Sequence, residues 1–200
     1  AEALVAGTLQ AARRGGDLLN RIADITTHRA WRPEPVAPAA LLGDLATLAT
    51  PSLPGSVRLE TEAQIEGSFL LDAGLLQDAV LNLILNAADA CGSEGVIRVS
   101  ARAIKDTWLE LSVADTGPGF SEEALKHGLD PFFTTKGGEG TGLGLAMVYD
   151  MVKLAGGGVK LSNGAPGACV TLRLPLRRAL SLPQSGLVLL VEDNPELRAQ

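Results

Sequence analysis

Apolar positions in the first thirty residues recur at three- and four-residue steps: Leu4, Val5, Leu9, Ala12, Leu18, Leu19, Ile22 and Ile25. That spacing predicts a helix over residues 2–32, because such steps fall on one helical face. Pro33 and Pro35 stop it, and the chain then reads as an extended linker. A second helix is predicted over Ala39–Leu48, with Pro38 suited to its first turn. Pro51-Ser-Leu-Pro54-Gly55 turns the chain. Val57–Glu62 alternates apolar and polar, the pattern of a strand with one wet face, and Ser68–Leu71 reads as a short second strand. Asp72 is placed to cap a long helix running to about Ala90, closed by Gly92 and Gly95. Val96–Ile104 and Trp108–Ala114 read as paired strands. Residues 117–142 are loop-rich, with a short helix around Glu122–Lys126. A helix from about Thr141 to Leu154 ends at Gly156-Gly157-Gly158, and Val159–Ser162 with Ala168–Leu174 close the series as strands.

Strands and helices interleave without regular βαβ alternation. This predicts an α+β fold, a two-layer sandwich of mixed, mostly antiparallel sheet covered by about three helices and preceded by a long helix. After Pro183 the character changes, and Leu187–Val191 is a wholly apolar run ending in Glu192-Asp193. The chain is 46% hydrophobic and 20% charged, enough to bury a core and too apolar for wholesale disorder. A net charge of −6 argues against a nucleic-acid surface, which needs clustered Lys and Arg. Cys91 and Cys169 are too few for a disulfide framework or a zinc site and read as free thiols in a reducing compartment. No apolar run approaches the roughly 18 residues that span a bilayer, and no cleavable leader is seen. Opening on Ala1, the chain reads as a cytoplasmic piece of a longer protein.

Four segments carry chemistry: Asn82-Leu-Ile-Leu-Asn86-Ala-Ala-Asp89, Asp115-Thr-Gly-Pro-Gly119, Asp130-Pro-Phe-Phe-Thr-Thr-Lys136 and Gly138-Glu-Gly140-Thr-Gly142-Leu-Gly144. Asn82 and Asn86 lie four apart on the long helix and share a face. An amide oxygen is a neutral, hard ligand that can complete a Mg²⁺ shell shared with phosphates; Leu81, Leu83, Ile84 and Leu85 would anchor the opposite side. Asp115 ends an apolar strand, where its carboxylate can accept from an exocyclic amine, and Gly117 and Gly119 permit close backbone approach. The glycines before the Thr141 helix present free amides and the positive end of a dipole, an anion site, with Thr141 available to cap. No Lys-Ser or Lys-Thr follows them, so this is not a Walker loop. Phe132 and Phe133 offer two apolar anchors at the base of a glycine-rich flap, and Lys136 can approach a phosphate. Taken singly, each segment also has a plain reading: a solvated Asn stripe, an ordinary turn, a flexible loop, two core aromatics and a surface lysine.

Together and in this order, the segments resemble the catalytic and ATP-binding domain of a bacterial sensor histidine kinase, of the GHKL superfamily. That kinase family shares its sandwich fold with type II topoisomerases, the ninety-kilodalton chaperones and the MutL ATPases. The resemblance covers residues 35–178. The Pro-Phe-Phe-Thr-Thr-Lys string is similar to that of nitrogen-regulation sensors and many hybrid kinases. The resemblance implies ATP and Mg²⁺, with Asn86 holding the metal and Asn82 helping with phosphate or metal, the two forming the catalytic pair. It implies that Asp115 reads adenine, that Gly117 and Gly119 make room for the base, and that Gly140, Thr141, Gly142, Leu143 and Gly144 line the triphosphate. Phe132, Thr135 and Lys136 complete the nucleotide-binding set. Asp89 joins it at a position where many relatives carry a phosphate-contacting lysine.

ATP-hydrolysing members place a glutamate base four residues before the metal-binding asparagine. Here Asn82 stands there and cannot take a proton, which favours transfer to a protein histidine over hydrolysis. A conformational ATPase or a nucleotide-binding scaffold are the alternatives. The histidines are His28 and His127. Neither lies in an acceptor-like setting, so the resemblance places the acceptor helix outside this chain. Residues 1–34 then read as the second dimerisation helix, 179–186 as a linker, and 187–200 as the first strand and helix start of a receiver domain. Implied partners are an acceptor helix, a response-regulator receiver and a second copy meeting through the N-terminal helix, with no nucleic acid and no membrane contact.

Overall fold

The computed structural model describes residues 31–136 and 140–179. The N-terminal helix with His28, the linker from residue 180 and the receiver-like run at 187–200 lie outside the described residues.

The chain enters as β1 (Glu34–Val36), antiparallel to β3 (Phe69–Leu71), where a linker was expected. Pro35 faces Leu70, and the Leu70 N–H turns the other way to the Arg177 carbonyl at 2.8 Å. The Pro35–Leu70 pair is therefore a non-hydrogen-bonded one, and proline's missing N–H costs the ladder nothing. Helix α1 (Pro38–Ala49) opens on Pro38 and buries Leu41, Leu42, Leu45 and Ala49. A one-turn 3₁₀ segment leads to β2 (Val57–Gln64).

Helix α2 (Ala73–Cys91) starts where Asp72 predicts, with Asp72 Oδ1 accepting from the Leu75 N–H at 3.0 Å. Its Oδ2 accepts from the Arg32 N–H at 2.9 Å, so one buried carboxylate ties two chain segments together. Then follow β4 (Gly95–Ile104), β5 (Trp108–Asp115), α3 (Glu122–His127), α4 (Gly144–Leu154), β6 (Gly158–Asn163) and β7 (Ala168–Pro175).

Five strands form one sheet in the order β2-β4-β5-β7-β6; β2 runs parallel to β4 and every other pair is antiparallel. The alternation along β4, β5 and β7 sends Ile97, Val99, Ala101, Leu109, Leu111, Val113, Val170, Leu172 and Leu174 to one face, all buried. Helices α1, α2 and α4 cover that face, α2 contributing Leu76, Ala79, Val80, Leu83 and Ile84 and α4 Val148 and Val152. This is the two-layer sandwich expected from the pattern.

The other face is polar. Glu110 stands in register with Arg102 on one side and Arg173 on the other. Its oxygens accept from both guanidiniums at 2.5–2.8 Å, and these fold over it and leave it 4% exposed. Burial by itself would raise the Glu110 carboxyl. The hydrogen bonds from Arg173 and Arg102, with the charge of both, outweigh it and hold the group below its ordinary 4.5. A depressed folded-state pKa stabilises above the unfolded value and is lost as pH falls through the folded one. Glu110→Gln is therefore expected to cost about 1.5–3 kcal/mol near neutral pH, the worth of hydrogen bonds to a charged group. The cost should shrink below about pH 4.5. Melting temperatures of both proteins across the acid range check this; a gap that does not narrow contradicts it.

Candidate nucleotide site

Helix α2 is the spine of the site. Asn82 and Asn86 are half-buried on one face, and Asn86 Nδ2 donates to Asn82 Oδ1 at 3.1 Å. That bond occupies the Asn82 oxygen and leaves Asn86 Oδ1 as the oxygen the pair can present. Leu83 and Ile84 anchor the buried side as expected, whereas Leu85 is 38% exposed: it falls between the two faces, one step from Asn86.

The first residue of α4 lies directly against the pair. A Cβ on Gly144 would stand 2.8 Å from Asn82 Oδ1 and 3.4 Å from Asn86 Nδ2, so only glycine lets the α4 N-terminus close on the two amides. Thr141, expected as the cap, is not the N-cap. The helix begins three residues later with Leu143 at the N-cap and no side-chain cap bond. Gly142 turns the chain at φ 65° and accepts the Phe132 N–H at 2.9 Å, which delays the helical start. Leu143 is 2% exposed, so its side chain belongs to the core and only its backbone faces the opening.

The aromatic pair divides. Phe133 is half-buried with its ring 6.2 Å from that of His127, but Phe132 is 69% exposed at φ 68°, not an anchor. Its backbone is what packs, against Gly142. Thr134 Oγ1 accepts the Lys136 N–H at 3.1 Å, and a Cβ on Gly140 would come within 2.5 Å of that oxygen; Thr135 is exposed. Lys136 Nζ meets Asp89 Oδ2 at 2.6 Å, one turn past Asn86. Two residues assigned separately to the nucleotide thus hold each other, at the rim of the amide pair. His127 pairs with Asp130 at 2.9 Å on the exposed end of α3.

At the C-terminal end of α2, Asp115 is 7% exposed. Its Oδ1 accepts from the N–H groups of Gly117 at 2.8 Å and Ala168 at 3.1 Å, while Oδ2 has no partner among the described residues. Gly117 sits against the carbonyl of Ala90, the penultimate residue of α2, and Gly119 against Asn163. Sequence reasoning missed Ala168 and Asn163, since their only local signal was an Asn-Gly hairpin.

The arrangement sets an amide oxygen beside the first turn of α4 and a fixed carboxylate near the C-terminus of α2. Among the described residues no group of three or more His, Cys, Asp or Glu could hold a metal alone. A Mg²⁺ at Asn86 would draw its remaining ligands from phosphate oxygens and water, which suits that ion.

Residues 71–178 match the family described as histidine kinase-, DNA gyrase B- and HSP90-like ATPase. The chain belongs to this family. Within it, the sensor histidine kinase ZraS of Klebsiella oxytoca is 44% identical over 107 residues, covering 52% of this chain and 23% of that protein. The histidine kinase-like ATPase fold is also seen in the mycobacterial sensor histidine kinase MprB, with a TM-score of 0.64 at 26% identity over 74% of this chain and 99% of that one. Full-length ShkA, solved in complex with AMPPNP, gives 0.72 at 27% identity over 88% and 39%. The chain thus spans about a quarter of the length of the curated relative. No helix among the described residues is long and apolar enough to cross a membrane.

Proposed function

We propose that this domain binds Mg-ATP and transfers its γ-phosphoryl group to a histidine on an acceptor helix outside the described residues, for relay to a response-regulator aspartate. The observation that carries the reading is the Asn82–Asn86 pair closed against the α4 N-terminus by Gly144. It brings an amide oxygen and the backbone N–H groups of the α4 first turn together, with an amide where the resemblance puts the proton acceptor of hydrolysing relatives.

In this reading Asp115 accepts from the adenine amine through Oδ2, with Oδ1 held by two backbone N–H groups. The first-turn amides of α4 and the Lys136 ammonium face the phosphates, where fixed donors stabilise charge as it develops. Asn86 Oδ1 would hold Mg²⁺, which when bound neutralises phosphate charge. In this reading the described residues supply no nucleophile; their work is positioning.

The test is to mix the chain with Mg-ATP labelled at the γ-phosphate and a separately made acceptor-helix domain of the parent protein. Acid-labile label on the acceptor is expected. Release of free phosphate alone would replace the reading with an ATPase, and binding with neither would make the domain a scaffold.

A further inference from the structure

The carboxylate taken to read the base and the turn that follows it are held at both ends by one pair of residues outside the four segments. Asn163, the last residue of β6, lies opposite Ala168, the first of β7. The Ala168 N–H bonds Asp115 Oδ1 at 3.1 Å, at the start of the Asp115–Phe120 turn. At the end of that turn Asn163 makes two bonds to one residue: its Oδ1 accepts the Phe120 N–H at 2.7 Å and its Nδ2 donates to the Phe120 carbonyl at 2.9 Å. A primary amide can do this because it carries one acceptor and one donor in a plane, as a backbone neighbour would. Gly119, at φ 82°, lies directly under the Asn163 side chain. The hairpin behind the pair is closed by the Gly164 N–H to the Gly167 carbonyl at 2.8 Å.

We propose that Asn163 is a positioning residue for adenine recognition: by gripping the Phe120 backbone at two points it sets the height and tilt of the Gly117–Gly119 shelf relative to Asp115. The inference rests on the reading of Asp115 as the adenine acceptor. β6 is an edge strand with β7 as its one neighbour, so nothing else in the sheet fixes the far end of this shelf. The grip specifies geometry more than stability, since Asn163 is exposed and its bonds to the Phe120 backbone are open to solvent, where a hydrogen bond contributes little to folding, while the half-buried Phe120 side chain packs on the core by itself. The base, pressed on the shelf, feels its loss; the phosphate-side groups, Asn82, Asn86 and the α4 N-terminus, make no bond to Asn163 or Phe120.

Titrations of adenosine and of Mg-ADP against wild type, Asn163→Ala, Asn163→Ser and Asn163→Asp separate the possibilities. The alanine variant is expected to weaken both ligands by the same factor, about tenfold, as for losing a pair of positioning hydrogen bonds. Amide exchange at Phe120 should speed up, and the melting temperature should change little. Serine, with one hydroxyl for two partners, should fall between. Aspartate keeps the acceptor but sets an oxygen against the Phe120 carbonyl, so it should be as poor as alanine. Unchanged adenosine affinity in the alanine and aspartate variants overturns the proposal, as does a loss confined to ADP, which would mean the effect travels through the phosphates. Wild-type protein that binds neither ligand overturns the nucleotide reading itself and this inference with it.

Discussion

Replacing Asn86 with alanine is expected to abolish the gain in ADP affinity that Mg²⁺ confers and to reduce phosphoryl transfer by about two to three orders of magnitude, the usual scale for losing one preorganised charge-stabilising contact. The Asn82 amide cannot substitute. Its oxygen faces the first residue of α4, where a Cβ on Gly144 would stand 2.8 Å from it, and in the native pair it is the acceptor in the Asn86–Asn82 bond. Folding should suffer little, by about half a kcal/mol, because Asn86 is half-buried and its bond to Asn82 is partly exposed. Calorimetric titration of ADP with and without Mg²⁺ decides the matter, with adenosine as the control that should not move. An undiminished Mg²⁺ effect in the variant would remove Asn86 from the metal site.

Gly142→Ala should do the most damage per atom added. At φ 65° an alanine pays roughly 1–2 kcal/mol for the left-handed region alone. Its Cβ would also overlap the Phe132 carbonyl group, and Phe132 cannot retreat while its N–H is bonded to the Gly142 carbonyl. Relief means parting residues 132 and 142, which draws Leu143 out of the core and the α4 N-terminus away from the amide pair. Nucleotide affinity is expected to fall by about a hundredfold or more, which is at least about 2.8 kcal/mol. The melting temperature should drop by about 2–4 °C for each kcal/mol lost. Gly43→Ala is the matched control. Gly43 lies inside α1 with nothing within 4 Å of its would-be Cβ, so the same substitution there should stabilise by roughly 0.5–1 kcal/mol through helix propensity. Equal effects at the two positions would show that the turn at Gly142 is not specified sterically.

Where local chemistry alone decides an element, the chain announces it. Asp72 is both the predicted and the observed cap of α2, because capping needs only a carboxylate and amides three residues away. The β4–β5 hairpin and its buried apolar face follow from the alternation of the two strands, broken only where Arg102 and Arg173 bury Glu110 on the polar face. The spacing of Asn82 and Asn86 puts them on one face whatever surrounds the helix.

Other features were settled by neighbours distant in sequence. Pro35 reads as a linker until Arg177 takes the Leu70 N–H and leaves a strand position that needs no donor. Thr141 looks like a cap, but the Gly142–Phe132 contact starts the helix later. Phe132 is apolar and yet exposed, because its positive φ spends the residue on a backbone contact. The pairing of Lys136 with Asp89 spans 47 positions and that of Asn163 with Phe120 spans 43. No periodicity encodes such distances.

By itself, then, the sequence determined the order of elements from α1 onward, the sandwich, and that Asn82 and Asn86 share one helical face, since these rest on propensity, alternation and helical spacing. Only the tertiary structure decided which amide oxygen is left to a ligand, where α4 begins, and what holds the Asp115 turn. Those depend on steric exclusion and hydrogen bonds between segments that meet only when the chain has folded.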